Sequence, residues 1–273
     1  MTPAAGRSRL VIVNADDLGR TSGINAGIFE AHRDGVVSSA TLMVASPAAE
    51  EAAAALPDHP RLGIGLHVTL TGSVPTLPPG RVPSLLDPEG RFPRRPEGLT
   101  GADPAEVLAE VRSQLERFRE LTGALPTHLD SHHHSHRQPV VLEALVEVAR
   151  EHRLPVRNAS PAVGRRLREA GLETTDAFVE HFFGEEASLE TVLEIFRGIG
   201  EGSTEVMCHP AYPDDALRAE STYAAERQRE LDVLTDPAAR EALADLGLRL
   251  GHFGHLIEAG AATGVEPAAR RVR

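Results

Sequence analysis

Asn14-Ala15-Asp16-Asp17 follows directly on Val11-Ile12-Val13. A short β-branched apolar run predicts a buried strand. Polar groups just past its carboxyl end lie where α/β folds place their ligand crevice. Two adjacent carboxylates raise each other's pKa unless a cation lies near. The pair therefore points to a metal and acid–base site, with a solvated turn at a helix start as the plain alternative. Three further runs end the same way: His67 near the close of Leu62–Val68, Asp130-Ser131-His132 after Thr127, and His209 after Thr204–Cys208. In a parallel sheet all four ends meet on one face, as the catalytic groups of (β/α) barrels do. Such convergence is harder to attribute to chance than any one residue.

Taken alone, His67 reads as a core histidine bonded to backbone. The run from His128 to His136 holds five of the 13 histidines, which is also the composition of a metal-buffering surface tract. Its flanking strand and interleaved Asp130 argue against a tail or tag. Successive histidines cannot all face one ion, so one or two of them at most are ligands. Cys208, inside an apolar strand, reads as packing rather than as a nucleophile. A carboxylate with two imidazoles leaves positions open for water, the pattern of a catalytic ion. That set suits Zn²⁺, whereas Mg²⁺ prefers oxygen ligands. Such an ion polarises a carbonyl and acidifies its bound water. Asp16, beside a ligand Asp17, is placed to take the water's proton, and a histidine opposite to protonate the leaving group.

The elements that must position these residues alternate along the chain. Thr21 or Ser22 caps a helix to Arg33, with Gly35 placed as its left-handed stop. Strands are expected over 38–44, 62–68, 127–130, 154–157, 204–208 and 248–250. Helices are expected over 47–56, 139–152 and 161–170, from Ser188, and from Asp236 to about residue 246. Asp103-Pro104-Ala105-Glu106 predicts a capped helix with a capping box, running to Leu121 with Gly123 as its stop. Alternating strands and helices predict a parallel α/β sheet, open or closed into a barrel. The stretch 72–100 is rich in proline and reads as a long loop over the site. One domain over 1–258 is expected, with 259–273 a mobile tail.

The chain has 273 residues, 41% of them hydrophobic, and a formal net charge of −12. That charge argues against nucleic acid and acidic membranes as partners. A single cysteine excludes an intrachain disulfide. No run approaches the ~18 apolar residues of a membrane span, and Met1–Arg9 lacks an apolar signal region behind it. A soluble cytoplasmic protein is expected.

Val13–Gly19, Gly65–Thr71, Pro126–His136 and Glu205–Tyr212 together resemble the YdjC-like carbohydrate deacetylases, a likeness that extends to about His252. Phe183-Gly184-Glu185-Glu186 and Arg229–Thr235 resemble its chitooligosaccharide deacetylase branch. The resemblance implies an irregular, TIM-like (β/α) barrel with mostly parallel strands, performing metal-dependent amide hydrolysis. It implies Asp17, His67 and His132 as ligands of one divalent ion, Mg²⁺ or Zn²⁺, Asp16 as general base and His209 as general acid. Asn14, Asp130, His134 and Tyr212 are the candidates around them for substrate binding. The substrate implied is a small N-acetylglucosamine-containing sugar of the chitobiose type, and a homodimer is a further expectation. The loop 72–100 is only loosely similar to that branch. This keeps open a different N-acetylated or lipid-linked sugar, and a metal-dependent sugar-binding protein without turnover. Sugar clefts carry stacking aromatics; with no Trp and two Tyr in the chain, Tyr212, Phe92, Phe182 and Phe183 are the candidates. A glycoside hydrolase needs carboxylates ~5 Å or more apart across a bond, which fits the adjacent pair less well than a metal site.

Overall fold

The computed structural model describes residues 9–257; the expected tail 259–273 lies outside them. At its centre is β1 (Arg9–Leu18), a strand buried along almost its whole length. It pairs in parallel with β2 (Ser39–Leu42) on one side and with β6 (Gly202–Cys208) on the other. The order is β4-β3-β2-β1-β6-β5, with β3 (Gly63–Val68), β4 (Leu129–Ser131) and β5 (Ala177–Val179). A short β7 (Arg249–Leu250) joins the start of β1. Every pairing is parallel, as the alternation with helices requires.

The sheet curls until its edges nearly meet. Val156 bridges Leu129 and donates its N–H to the Glu173 carbonyl, and Asp176 then bonds Ser203 of β6. The gap between β4 and β5 is thus spanned by 155–157 and 173–176, giving an irregular (β/α) barrel. The strand expected over 154–157 shrinks to this bridge, whereas β5, short and flanked by acids, carries no sequence signal of its own.

Side-chain alternation sorts the strands into two faces. Val11, Val13 and Ala15 point outward into the main core shared with Ile24 and Ile28. Leu10 and Ile12 point inward and pack with Phe253 and Leu256 as a separate plug. Above that plug the interior turns polar, with Thr41, Asp130, Arg157 and Glu205 all fully buried.

The helices follow their caps, with two corrections. In α1 (Ser22–Arg33), Thr21 accepts the Ile24 N–H as expected. Gly35, however, is not a left-handed stop. Its missing side chain makes room for α8 (Ala225–Leu234), because a Cβ there would lie 2.3 Å from the Leu234 carbonyl oxygen. In α3 (Pro104–Thr122), Asp103 accepts from Ala105 and Glu106, and Gly123 closes the helix at φ 72°. Glu106 does not complete a capping box; its carboxylate accepts the Ser84 N–H instead. Helices α2 (Ala49–Ala55), α4 (Pro139–His152), α5 (Pro161–Glu169), α6 (Leu189–Gly198) and α9 (Pro237–Asp245) match expectation. The short α7 (Asp215–Glu220) and α8 lacked a clean apolar stripe in the sequence.

The stretch 72–100 is a packed lobe built of 3-10 turns. Val82, Leu85, Phe92 and Leu99 join the main core. Glu110 of α3, fully buried, accepts from the Thr76 N–H and hydroxyl, the Leu77 N–H and the Gln114 amide. No helix among the described residues is long and apolar enough to cross a membrane.

Candidate metal and acid–base centre

Inward-facing Leu10, Ile12, Asn14 and Asp16 lead up β1 to the site, and alternation would send Asp17 outward. Asp17 instead takes a left-handed φ of 71°, and the pairing with β2 slips between Ala15 and Leu18. Aspartate is among the few non-glycine residues that visit this conformation. The kink turns both carboxylates into the barrel mouth. Asp17 Oδ1 lies 3.0 Å from His132 Nδ1 and 3.5 Å from His67 Nε2. The three side chains offer donor atoms within 4.8 Å of one another.

These atoms fit a divalent ion. Oδ1 is buried, and its near neighbours are the two imidazoles, with no other hydrogen-bond donor from the described residues. Tetrahedral ligands about 2.0–2.1 Å from an ion lie roughly 3.3 Å apart, which the two distances bracket. Burial works against a charge on His67, yet Asp130, Asp16 and Asp17 override it and push its pKa up to about 9. The surroundings thus favour a positive charge at this point. Burial pushes His132 the other way, down from its ordinary value against the pull of Asp17, leaving its lone pair free to donate.

The turn that delivers His132 (132–137) contains two consecutive left-handed residues, His133 at φ 53° and His134 at φ 51°. That double twist splits the histidine run. His133 Nδ1 lies 3.1 Å from the Thr71 hydroxyl, His134 Nε2 is 3.3 Å from Glu180, and His136 Nδ1 lies 2.5 Å from the Ser131 hydroxyl. Only His132 of this run reaches the Asp17 group.

Asp16 is held in a fork. Arg157 Nη1 and Nη2 donate to its two oxygens at 2.7 and 2.6 Å, and the Asn14 amide donates at 2.9 Å. Burial opposes its ionisation, but the guanidinium holds it well below the usual carboxylate range. Arg157 is itself fully buried and also reaches Asp130 at 3.0 Å and Glu205 at 2.9 Å. Glu205 has less claim on that single cation. Burial first, then the charges of Asp16 and Asp130, push it up to about 7. Asp130, a substrate-contact candidate from the sequence, sits behind His67 instead, 2.7 Å from Nδ1 and accepting from Thr41. Asp16, His67 and Asp130 also cluster, but the carboxylate oxygens are already engaged, Asp16 by Arg157 and Asn14 and Asp130 by His67, Thr41 and Arg157. Asn14 likewise supports Asp16 from within the barrel.

Across the mouth, His209 donates its backbone N–H to Glu230 of α8 at 2.5 Å. Its Nδ1 is buried with no hydrogen bond among the described residues, 3.9 Å from a Glu230 oxygen. Burial and then the Arg227 charge lower its pKa to about 4, so the resting imidazole is neutral at pH 7. Burial lifts Glu230 to about 7, and the Tyr223 hydroxyl donates to it. Arg227 donates to Asp17 Oδ2, and its Nη1 is buried with no partner among the described residues. Cys208 is buried and its thiol pKa is raised by that burial, as packing requires.

Tyr212 is not brought into this group; its hydroxyl donates to Glu30 on α1. Phe92 and Phe182 are core residues, and Phe183 alone of the four aromatic candidates is exposed beside His209. The sequence reading missed Arg157, Glu205, Arg227 and Glu230. Glu205 had left a signal, a lone acid inside an apolar strand.

The profile of YdjC-like proteins matches residues 10–245. The chain belongs to this family. A carbohydrate deacetylase of Geobacillus stearothermophilus is 45% identical over 243 residues, covering 89% of this chain and 96% of that protein. A chitooligosaccharide deacetylase of Serratia marcescens is 41% identical over 259 residues, covering 91% and 99%. Among solved structures, a proposed cellobiose-phosphate cleavage protein of Enterococcus faecalis V583 superposes with a TM-score of 0.86 at 35% identity, covering 91% and 99%. The Xyl-CE4 domain of a xylanase from the hindgut metagenome of Trinervitermes trinervoides has a TM-score of 0.55 at 9% identity, covering 93% and 92%. The chain therefore shares its curled parallel fold with that domain, a likeness that speaks for the fold alone.

Proposed function

We propose that this YdjC-like protein is a metal-dependent carbohydrate deacetylase that releases acetate from an N-acetylglucosamine-containing oligosaccharide of the chitobiose type. One observation carries the reading. An ionised carboxylate, Asp16, is clamped by Arg157 next to an Asp17–His67–His132 ligand triad of which it is not a member. A pure binding site has no need of that second carboxylate. The names of the relatives supply the substrate class.

Asp17, His67 and His132 hold the divalent ion, with Zn²⁺ preferred over Mg²⁺ for the two imidazoles. When bound, the ion polarises the amide carbonyl and acidifies a water. Asp130 fixes the His67 ring through Nδ1, leaving Nε2 as the donor atom. Asp16 takes a proton from the attacking water as its oxygen bonds to the carbonyl carbon. Arg157 keeps Asp16 aimed and ionised until that moment. As the C–N bond breaks, His209 gives a proton to the departing amine nitrogen. Resting His209 is neutral, so it first takes up a proton from solvent, and Asp16 returns the water's proton to solvent at the end of the cycle. The two exchanges cancel, and the remaining O–H proton of the acid passes to the amine, so acetate and the ammonium form of the sugar are the products.

The test is acetate release from diacetylchitobiose and a panel of other N-acetylated sugars, with metal content measured alongside. Asp16→Asn is expected to lower kcat by about 10²-fold or more while retaining close to one ion per chain. An Asp16→Asn enzyme with full activity rejects the general-base assignment. An inactive wild-type chain, loaded with metal and tested on the whole panel, rejects the deacetylase reading.

A further inference from the structure

Phe183 is 45% exposed in a chain that has few aromatics. One face of its ring lies flat on Tyr223, with centroids 4.0 Å apart and planes within 5°. Its edge meets His209 at 5.6 Å. The backbone around it is fixed on both sides. Phe182 is fully buried; the Gly184 N–H donates to the Tyr223 hydroxyl at 2.8 Å, and Arg229 donates to the Gly184 carbonyl at 3.3 Å. The Tyr223 hydroxyl in turn donates to Glu230, so the polar end of the supporting ring is fully engaged. The result is a rigid apolar plate with one face covered and one open, set against the residue that protonates the leaving group.

We infer that Phe183 is a sugar-recognition residue whose open face receives the C–H face of the pyranose ring that carries the departing nitrogen. The inference rests on the deacetylase reading above and deepens it. The nitrogen protonated by His209 is bonded to that pyranose, so the ring must lie on the His209 side of the reacting carbon. That is the side on which Phe183 stands. An apolar face with no donor or acceptor suits the axial C–H groups of a pyranose. A plate held in place before binding loses little conformational freedom when the sugar arrives. Tyr212, Phe92 and Phe182 cannot substitute for it, being bonded to α1 or buried.

Phe183→Ala is expected to raise KM for diacetylchitobiose about tenfold and to lower kcat by less than KM rises. Phe183→Tyr keeps the plate and is expected to restore most of the loss. A role confined to propping Tyr223 gives a different result: kcat falls and its pH profile shifts while KM is unchanged, which overturns the inference. Phe183→Trp supplies a second readout, since the chain contains no tryptophan. In an Asp16→Asn background, its emission is expected to change saturably as diacetylchitobiose is added. A saturable response from a chain that releases no acetate as wild type upholds the plate and rejects the deacetylase reading. Wild-type turnover with an unaltered KM in Phe183→Ala and a silent Phe183→Trp rejects the plate alone.

Discussion

At the residue scale, the interior is organised by too few cations among too many acids. Arg157 serves Asp16, Asp130 and Glu205 at once, and Glu205 is left with a buried oxygen that has no partner among the described residues. Its pKa is raised from 4.5 to about 7 in the folded chain. A carboxyl group raised on folding contributes its full stability below the unfolded value and loses it as pH climbs through the folded one. Glu205→Gln keeps the acceptor for Arg157 and removes the titration. Urea midpoints of variant and wild type should lie close near pH 5, and the variant should gain on wild type as pH rises to 8. A constant difference across that range rejects the shift. Asp16, Asp17, His67 and His209 were legible because each is a polar residue at the end of an apolar run. Arg157 was not, because its three partners come from strands far along the chain, and no local pattern records such pairings.

At the element scale, capping chemistry was readable where both partners sit within a few residues, as with Thr21 and Asp103. It failed where the partner came from elsewhere. Glu106 has the spacing of a capping box but bonds the lobe at Ser84, and Gly35 answers to the approach of α8 rather than to its own helix. The 72–100 lobe shows the same logic. Its proline content announces irregular backbone, yet its order comes from Glu110, one side chain on α3 that gathers two backbone N–H groups and a hydroxyl. Glu110→Ala strands those donors in a buried setting, at about 2–4 kcal/mol. The melting temperature should fall by roughly 5–10 °C, and proteolysis of the variant should begin within 72–100. An unchanged melting temperature shows that the lobe is anchored by its apolar residues alone.

At the scale of the whole molecule, alternating strands and helices announced a parallel α/β sheet, open or closed, and four strand ends announced one site. The closure did not show in the sequence, because two bridging segments with almost no strand character perform it. The proposed ligands come from β1, β3 and the turn after β4, so an ion bound there adds a cross-link between parts of the chain far apart in sequence. Binding to the folded state alone stabilises it by about 2.7 kcal/mol at a hundredfold excess over Kd. Chelation should therefore lower the melting temperature by several degrees, and added Zn²⁺ should restore it. His132→Ala, which removes a proposed ligand without disturbing the arginine pairs, should melt at the same temperature with or without the metal. A His132→Ala chain that still responds to Zn²⁺ places the ion elsewhere.

The left-handed turn at Asp17 has a mechanical consequence. It turns two consecutive side chains of one buried strand, the proposed proton acceptor and the proposed metal ligand, into the same mouth, and their α-carbons stand about 3.8 Å apart across a planar peptide unit. Covalent bonds, not packing, set that spacing. Breathing of the 72–100 lobe leaves it unchanged. β1 thus gives the site one dimension set by covalent geometry and insensitive to how the rest of the barrel packs.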